Sequence, residues 1–100
     1  MDSGKSKRRP ILVVMEDPEE LSAMELALQR AGYSTVLAMN PQHALRELGT
    51  IPASPAGVML DAGIPRPALA SLVAAIASSP SFARVPILFI KQDPRSRHLH

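Results

Sequence analysis

Four short apolar runs, each bounded by turn-forming residues and separated from the next by a helix-length segment, limit what this chain can become. The first is Ile11-Leu12-Val13-Val14, with Pro10 before it and Glu16-Asp17-Pro18 after it. A continuous apolar run of this length, rich in β-branched residues, is the pattern of a strand buried on both faces. Residues 33–39 (Y-S-T-V-L-A-M), 58–60 (V-M-L, ending at Asp61) and 85–90 (V-P-I-L-F-I) predict three further strands.

The intervening segments read as helices. Pro18 has the fixed φ that suits a first helical turn, and Glu19 and Glu20 follow where the positive end of the helix dipole favours acids. Leu21, Met24, Leu26 and Leu28 are expected to form the apolar stripe of this helix, and Gly32 its end. Asn40-Pro41 predicts a capped second helix carrying Ala44, Leu45 and Leu48, with Gly49 as its stop. Residues 50–57 hold two prolines and a glycine and read as loop. Pro67 is expected to open a third helix, buried through Leu69, Leu72, Val73 and Ile76 and stopped by Ser78-Ser79-Pro80. The order β-α-β-α-β-α-β predicts an α/β fold: a doubly wound, flavodoxin-like parallel sheet of four strands with three helices on its two faces.

Length and composition narrow the chemistry. One hundred residues suffice for one core. With Tyr33, Phe82 and Phe89 as the only aromatic residues, that core must be aliphatic. There is no cysteine, which excludes disulfides, thiolate metal sites and cysteine nucleophiles. No apolar run approaches the roughly 20 residues that span a bilayer, so no membrane association and a cytoplasmic location are expected. Charge is uneven: residues 1–10 sum to +3, residues 11–90 to −3 and residues 91–100 to +2. The bases have no interleaved aromatic residues, so nucleic acid is not an expected partner. The expected organisation is a basic tail (1–9), one domain (10–92) and a polar tail (93–100).

Doubly wound sheets react at the carboxyl ends of their strands, where the strand order reverses. Glu16-Asp17 follows the first strand and Asp61 ends the third, and neighbouring strands would bring these acids to one crevice. Clustered carboxylates repel each other unless a cation lies between them, and oxygen ligands suit Mg²⁺. Lys91 stands at the end of the fourth strand.

The segments I-L-V-V-M-E-D-P-E-E-L, V-M-L-D-A-G-I-P and V-P-I-L-F-I-K-Q, in this order, resemble the first strand and acidic turn, the phospho-acceptor strand and loop, and the fourth strand of response-regulator (CheY-like) receiver domains. The resemblance covers residues 10 to 92. It implies a module of two-component phosphorelay signalling that takes a phosphoryl group from a histidine kinase or phosphotransfer protein. Asp61 matches the acceptor, Glu16 the second acid of the family's acidic pair, and Gly63 the residue whose backbone carbonyl helps hold Mg²⁺. Asp17 is the nearest substitute for the first acid, whose place Met15 takes. Lys91 stands where a hydroxyl would contact the phosphoryl group, and could contact that group or Asp61 itself.

The resemblance also implies that a fifth βα unit, with its lysine and aromatic residue, lies beyond this chain. The fourth strand would then be a sheet edge, and its apolar sequence suggests a homodimer formed through it. These departures keep a second reading open: a non-phosphorylated pseudo-receiver acting by protein interaction or dimerisation. An enzyme is not expected, since M-E-D-P after the first strand is no glycine-rich phosphate loop. His43, His98 and His100 are expected to be surface residues.

Overall fold

Prolines mark the first turn of every helix in this fold. The structure, a computed structural model, describes residues 9–51, 54–82 and 84–90. Helix α1 (Pro18–Arg30) follows strand β1 (Ile11–Val14), and its N-cap Asp17 accepts hydrogen bonds at Oδ1 from the amides of Glu19 (2.9 Å) and Glu20 (3.5 Å). Strand β2 (Thr35–Ala38) leads to helix α2 (Pro41–Thr50), whose N-cap Asn40 accepts from the His43 amide at 2.7 Å. Strand β3 (Gly57–Asp61), helix α3 (Arg66–Ser78), a 3-10 turn (Pro80–Phe82) and strand β4 (Ile87–Ile90) complete the order.

The four strands form one sheet in the order β2-β1-β3-β4, and every pairing is parallel. Val14 is level with Leu60, and Asp61 with Ile90. All four carboxyl ends therefore lie along one edge of the sheet. The chain moves from β1 to β2 on one side and then to β3 on the other, which puts the reversal between β1 and β3. This is the predicted doubly wound α/β architecture.

Strand alternation sorts the core into two layers. Leu12, Val14, Ala38, Val58 and Leu60 face α2 and α3, where they meet Ala44, Leu48, Leu72, Ile76 and Phe82. Val13 and Met15, with Ile11, Leu37 and Met59, face α1 and meet Leu21, Met24 and Leu28. Leu12, Val13 and Val14 are fully buried, as a strand covered on both faces requires. No helix among the described residues is long and apolar enough to cross a membrane.

The structure corrects several boundaries. Residue 26 lies about 140° around the helix from residue 21, so Leu26 leaves the stripe and is exposed, as is Leu45 on α2. Strand β2 starts two residues late because Tyr33 still belongs to the end of α1. The Tyr33 amide donates to the Leu28 carbonyl and the Gly32 amide to that of Gln29, closing a Schellman motif around Gly32 at φ 95°. Gly49 does not stop α2. It lies inside the helix with open space where a Cβ would stand, and Ile51 caps the end. Helix α3 starts at Arg66, one residue before Pro67. Strand β4 starts at Ile87, because the Val85 amide turns back to the Phe82 carbonyl and Pro86 has no N–H to give.

Candidate functional site

The site grows from the end of β3. Val58, Met59 and Leu60 carry that strand through the core, and the next residue, Asp61, is 5% exposed. It is the only buried polar or charged residue among the described residues. Burying a carboxylate is costly unless hydrogen bonds or charges compensate, so a carboxylate kept at this place marks a function candidate. The loop that follows compensates in part. The Gly63 amide donates to Asp61 Oδ1 at 2.8 Å, and the Ile64 amide donates to the Asp61 carbonyl at 3.1 Å, which turns the chain sharply towards α3. Ile64 itself is buried in the core and anchors this turn. On the other side, the Ala62 amide donates to the Ile90 carbonyl at 2.9 Å and ties the loop to the end of β4.

Space at position 63 is tight. A Cβ there would stand 3.2 Å from Asp61 Oδ1, closer than such contacts normally come. A side chain at 63 would thus make the carboxylate give way by a few tenths of an ångström.

The residues after β1 divide into three roles. Met15 is 3% exposed and packs in the α1-side layer, while its amide donates to the Ala38 carbonyl at 3.1 Å. It is level with Asp61 by strand register, and brings a thioether instead of a hard oxygen. Glu16 is exposed next to it. Asp17 is occupied as the N-cap of α1, so the substitute for the missing acid has its Oδ1 engaged by backbone amides.

A hard divalent cation such as Mg²⁺ can be bound through one or two carboxylates while keeping several waters. The donor set expected from the sequence, Asp61, Glu16 and the Gly63 carbonyl, is of that size, one acid smaller than the resemblance implies. Among the described residues no group of three or more His, Asp or Glu residues could hold a metal ion. Any cation here would therefore depend on water for most of its shell. Lys91 and the two tail histidines, His98 and His100, lie outside the described residues. His43 is half-buried on α2, with Nε2 3.1 Å from Glu47 Oε2 one turn on.

One feature, a groove beside the Asp61 loop, escaped the sequence reading, while the exposed apolar β4 edge was expected. Arg66 and Phe89, which flank the Asp61 loop in sequence and in register, line a groove of ≈ 560 Å³ with Leu69, Ala70 and Val73 of α3. Phe89 and Leu88 are 55% and 54% exposed, one on each face of β4. The sequence signal was the unbroken apolar run 87–90, which a strand at the sheet edge cannot bury.

No protein-family model matches the chain, and no curated protein matches it. Solved structures do. The chemotaxis response regulator CheY4 of Vibrio cholerae superposes with a TM-score of 0.73 at 20% identity, over 92% of this chain and 77% of that one. The bacteriophytochrome response regulator AtBRR gives 0.71 at 24% identity, over 93% of this chain and 73% of that one. The signal receiver domain of a signal transduction histidine kinase from Syntrophus aciditrophicus gives 0.69 at 25% identity, over 92% and 71%. The chain has the fold of response-regulator receiver domains.

Proposed function

We propose, from the receiver fold, that this chain is a receiver module of two-component phosphorelay signalling and that Asp61 accepts the phosphoryl group. The observation that carries the reading is the buried Asp61 carboxylate at the carboxyl end of β3, beside the reversal of strand order and fixed by the Gly63 amide. A doubly wound sheet places its chemistry at this point.

The donor is the phosphohistidine of a histidine kinase or phosphotransfer protein, or a small acyl phosphate. A carboxylate oxygen of Asp61 attacks phosphorus, the bond from phosphorus to the donor nitrogen or oxygen breaks, and the freed donor group leaves with that electron pair. The product is an aspartyl phosphate. Gly63 holds Oδ1, which fixes the carboxylate plane and the line of approach. When bound, Mg²⁺ offsets the negative charge shared by the carboxylate and the phosphoryl oxygens. Asp61, Glu16 and the Gly63 carbonyl would hold it. The chain itself acts as acceptor and switch, not as an enzyme on a separate substrate.

A second reading has its own observation. Met15 in place of an acid and Asp17 engaged as a helix cap weaken the cation site, which favours a pseudo-receiver that works by binding alone. In that reading, as in the first, the uncharged β4 edge pairs with a second copy of the chain.

Intact-mass measurement after incubation with acetyl phosphate and Mg²⁺ decides between them. A phosphoryl adduct on the wild type and none on Asp61→Asn supports the acceptor. A folded wild type that takes up no phosphoryl group leaves the pseudo-receiver as the function.

A further inference from the structure

The end of the sheet opposite Asp61 holds a second feature. A cleft of ≈ 400 Å³ opens where β1, β3 and β4 begin, and Arg9 and Arg84 stand on its lining with Ser54 and Ser81. No acidic residue among those described lines it. Among the described residues the only ion pair is His43 with Glu47, so neither arginine meets a carboxylate of a described residue. The described acids that cap strands, Glu16, Asp17 and Asp61, are all at the other end of the sheet.

The walls of this cleft are tied down. The Ala56 amide donates to the Pro10 carbonyl at 2.8 Å, next to Arg9 in sequence, and the Val58 amide donates to the Pro86 carbonyl at 3.0 Å. The Val85 amide, next to Arg84, donates to the Phe82 carbonyl at 3.1 Å. Pro55 is fully buried, and Pro55 and Pro86 each fix a backbone φ in the lining. The residue after each arginine, Pro10 and Val85, is therefore tied into the fold, and less freedom is lost when a ligand binds.

We infer that this cleft is an anion site for a small phosphate-bearing ligand, held by the guanidinium groups of Arg9 and Arg84. A planar guanidinium presents paired N–H donors that match two phosphate oxygens, and two arginines lining one cleft with no described acid supply two such forks. The hydroxyls of Ser54 and Ser81 add neutral donors to the same lining. The volume falls in the range of small-ligand clefts. The site is separate from the acceptor end and does not depend on whether Asp61 is phosphorylated.

The test is an NMR titration of the full chain with inorganic pyrophosphate against sodium chloride of equal ionic strength. Saturable shifts are expected at the amides of Ser54, Ala56, Ser81 and Arg84. Affinity should fall by about tenfold or more in Arg9→Gln and again in Arg84→Gln, each losing a charge-assisted contact. It should be unchanged in Asp61→Asn, which separates this site from the acceptor. Lys5, Lys7 and Arg8 precede Arg9 in the sequence, so simple charge attraction must be told apart from a site. Shifts that follow ionic strength alone, or that survive both arginine variants, overturn the inference. Both positions are exposed, so the variants keep the fold, and the unchanged remainder of the spectrum verifies it.

Discussion

Asp61 and Gly63 are fitted to each other twice over: the Gly63 amide donates to Asp61 Oδ1 at 2.8 Å, and a methyl group added at Gly63 would stand 3.2 Å from that same oxygen. Gly63→Ala must therefore displace the carboxylate by a few tenths of an ångström or loosen the hydrogen bond. Position 63 is at the surface, so the fold should persist. The rate of adduct formation from acetyl phosphate should drop by about tenfold or more, as small misplacements of reacting groups do. Time-resolved intact mass measures the rate and thermal unfolding verifies the fold. An unchanged rate would mean that this contact does not orient the nucleophile.

Asp17 and Glu16 are adjacent in sequence, and the structure engages Asp17 as the N-cap of α1 while Glu16 is exposed. Asp17→Ala removes the N-cap of α1 and should cost about 1 kcal/mol of stability, with Mg²⁺ affinity nearly unchanged. Glu16→Gln removes an exposed carboxylate and should leave stability within about 0.5 kcal/mol while weakening Mg²⁺. Urea unfolding and metal titration followed by NMR read the two effects. Loss of Mg²⁺ binding on Asp17→Ala alone would return Asp17 to the metal site.

The neighbouring residues show how far the sequence could be read. Strand positions followed from apolar runs, because a strand buried on both faces leaves no room for polar residues. Asp61 stood out because a carboxylate ended such a run. Whether Asp17 served a helix or a cation was not legible. Both roles put an acid before Pro18, and only the direction of the Oδ1 contacts separates them. Gly49 misled because glycine is a stop signal only where the backbone turns left-handed, as at Gly32. The Arg9–Arg84 cleft left no local trace, since it unites segments 75 residues apart in the chain. Lys91, a candidate contact for the phosphoryl group in the sequence, lies outside the described residues.

Met15 stands where the resemblance implies an acid, and placing an acid there tests the cation geometry directly. Met15→Asp puts a carboxylate level with Asp61 but in a buried position. Without metal it should lose about 2–3 kcal/mol, from lost packing and a desolvated charge. With Mg²⁺ in excess, part of that loss should return, because a ligand that binds only the folded state stabilises it. Thermal unfolding with and without Mg²⁺ reads both. A variant whose stability ignores Mg²⁺ would show that positions 15 and 61 do not share a cation.

Helix α2 offers a plain stability test. Gly49 is in its last turn, exposed, with nothing within 4 Å of a built Cβ. Gly49→Ala should stabilise the fold by about 0.5–1 kcal/mol through reduced backbone entropy of the unfolded chain. Chemical unfolding with an unchanged slope would attribute the gain to the folding equilibrium alone. A destabilised variant would mean that the end of α2 needs glycine for a reason its geometry does not show.

The β4 edge is the proposed contact between two copies of the chain. Ile87–Ile90 carries no charge, and its outward residues Leu88 and Phe89 are more than half exposed on opposite faces of the sheet. An uncharged apolar edge is a template for another strand, and a two-fold axis lets β4 pair with its own copy, antiparallel. Leu88→Lys puts a charge on that edge without touching either core layer, since Leu88 belongs to neither. Sedimentation equilibrium should show concentration-dependent dimers for the wild type and a monomer for the variant, with the same thermal midpoint at low concentration. Pairing of strand backbones across the axis also predicts that the amides of residues 87–90 that point away from β3 are protected only in the dimer. A wild type that stays monomeric at high concentration, with those amides exchanging freely, would assign the edge to something other than a second copy.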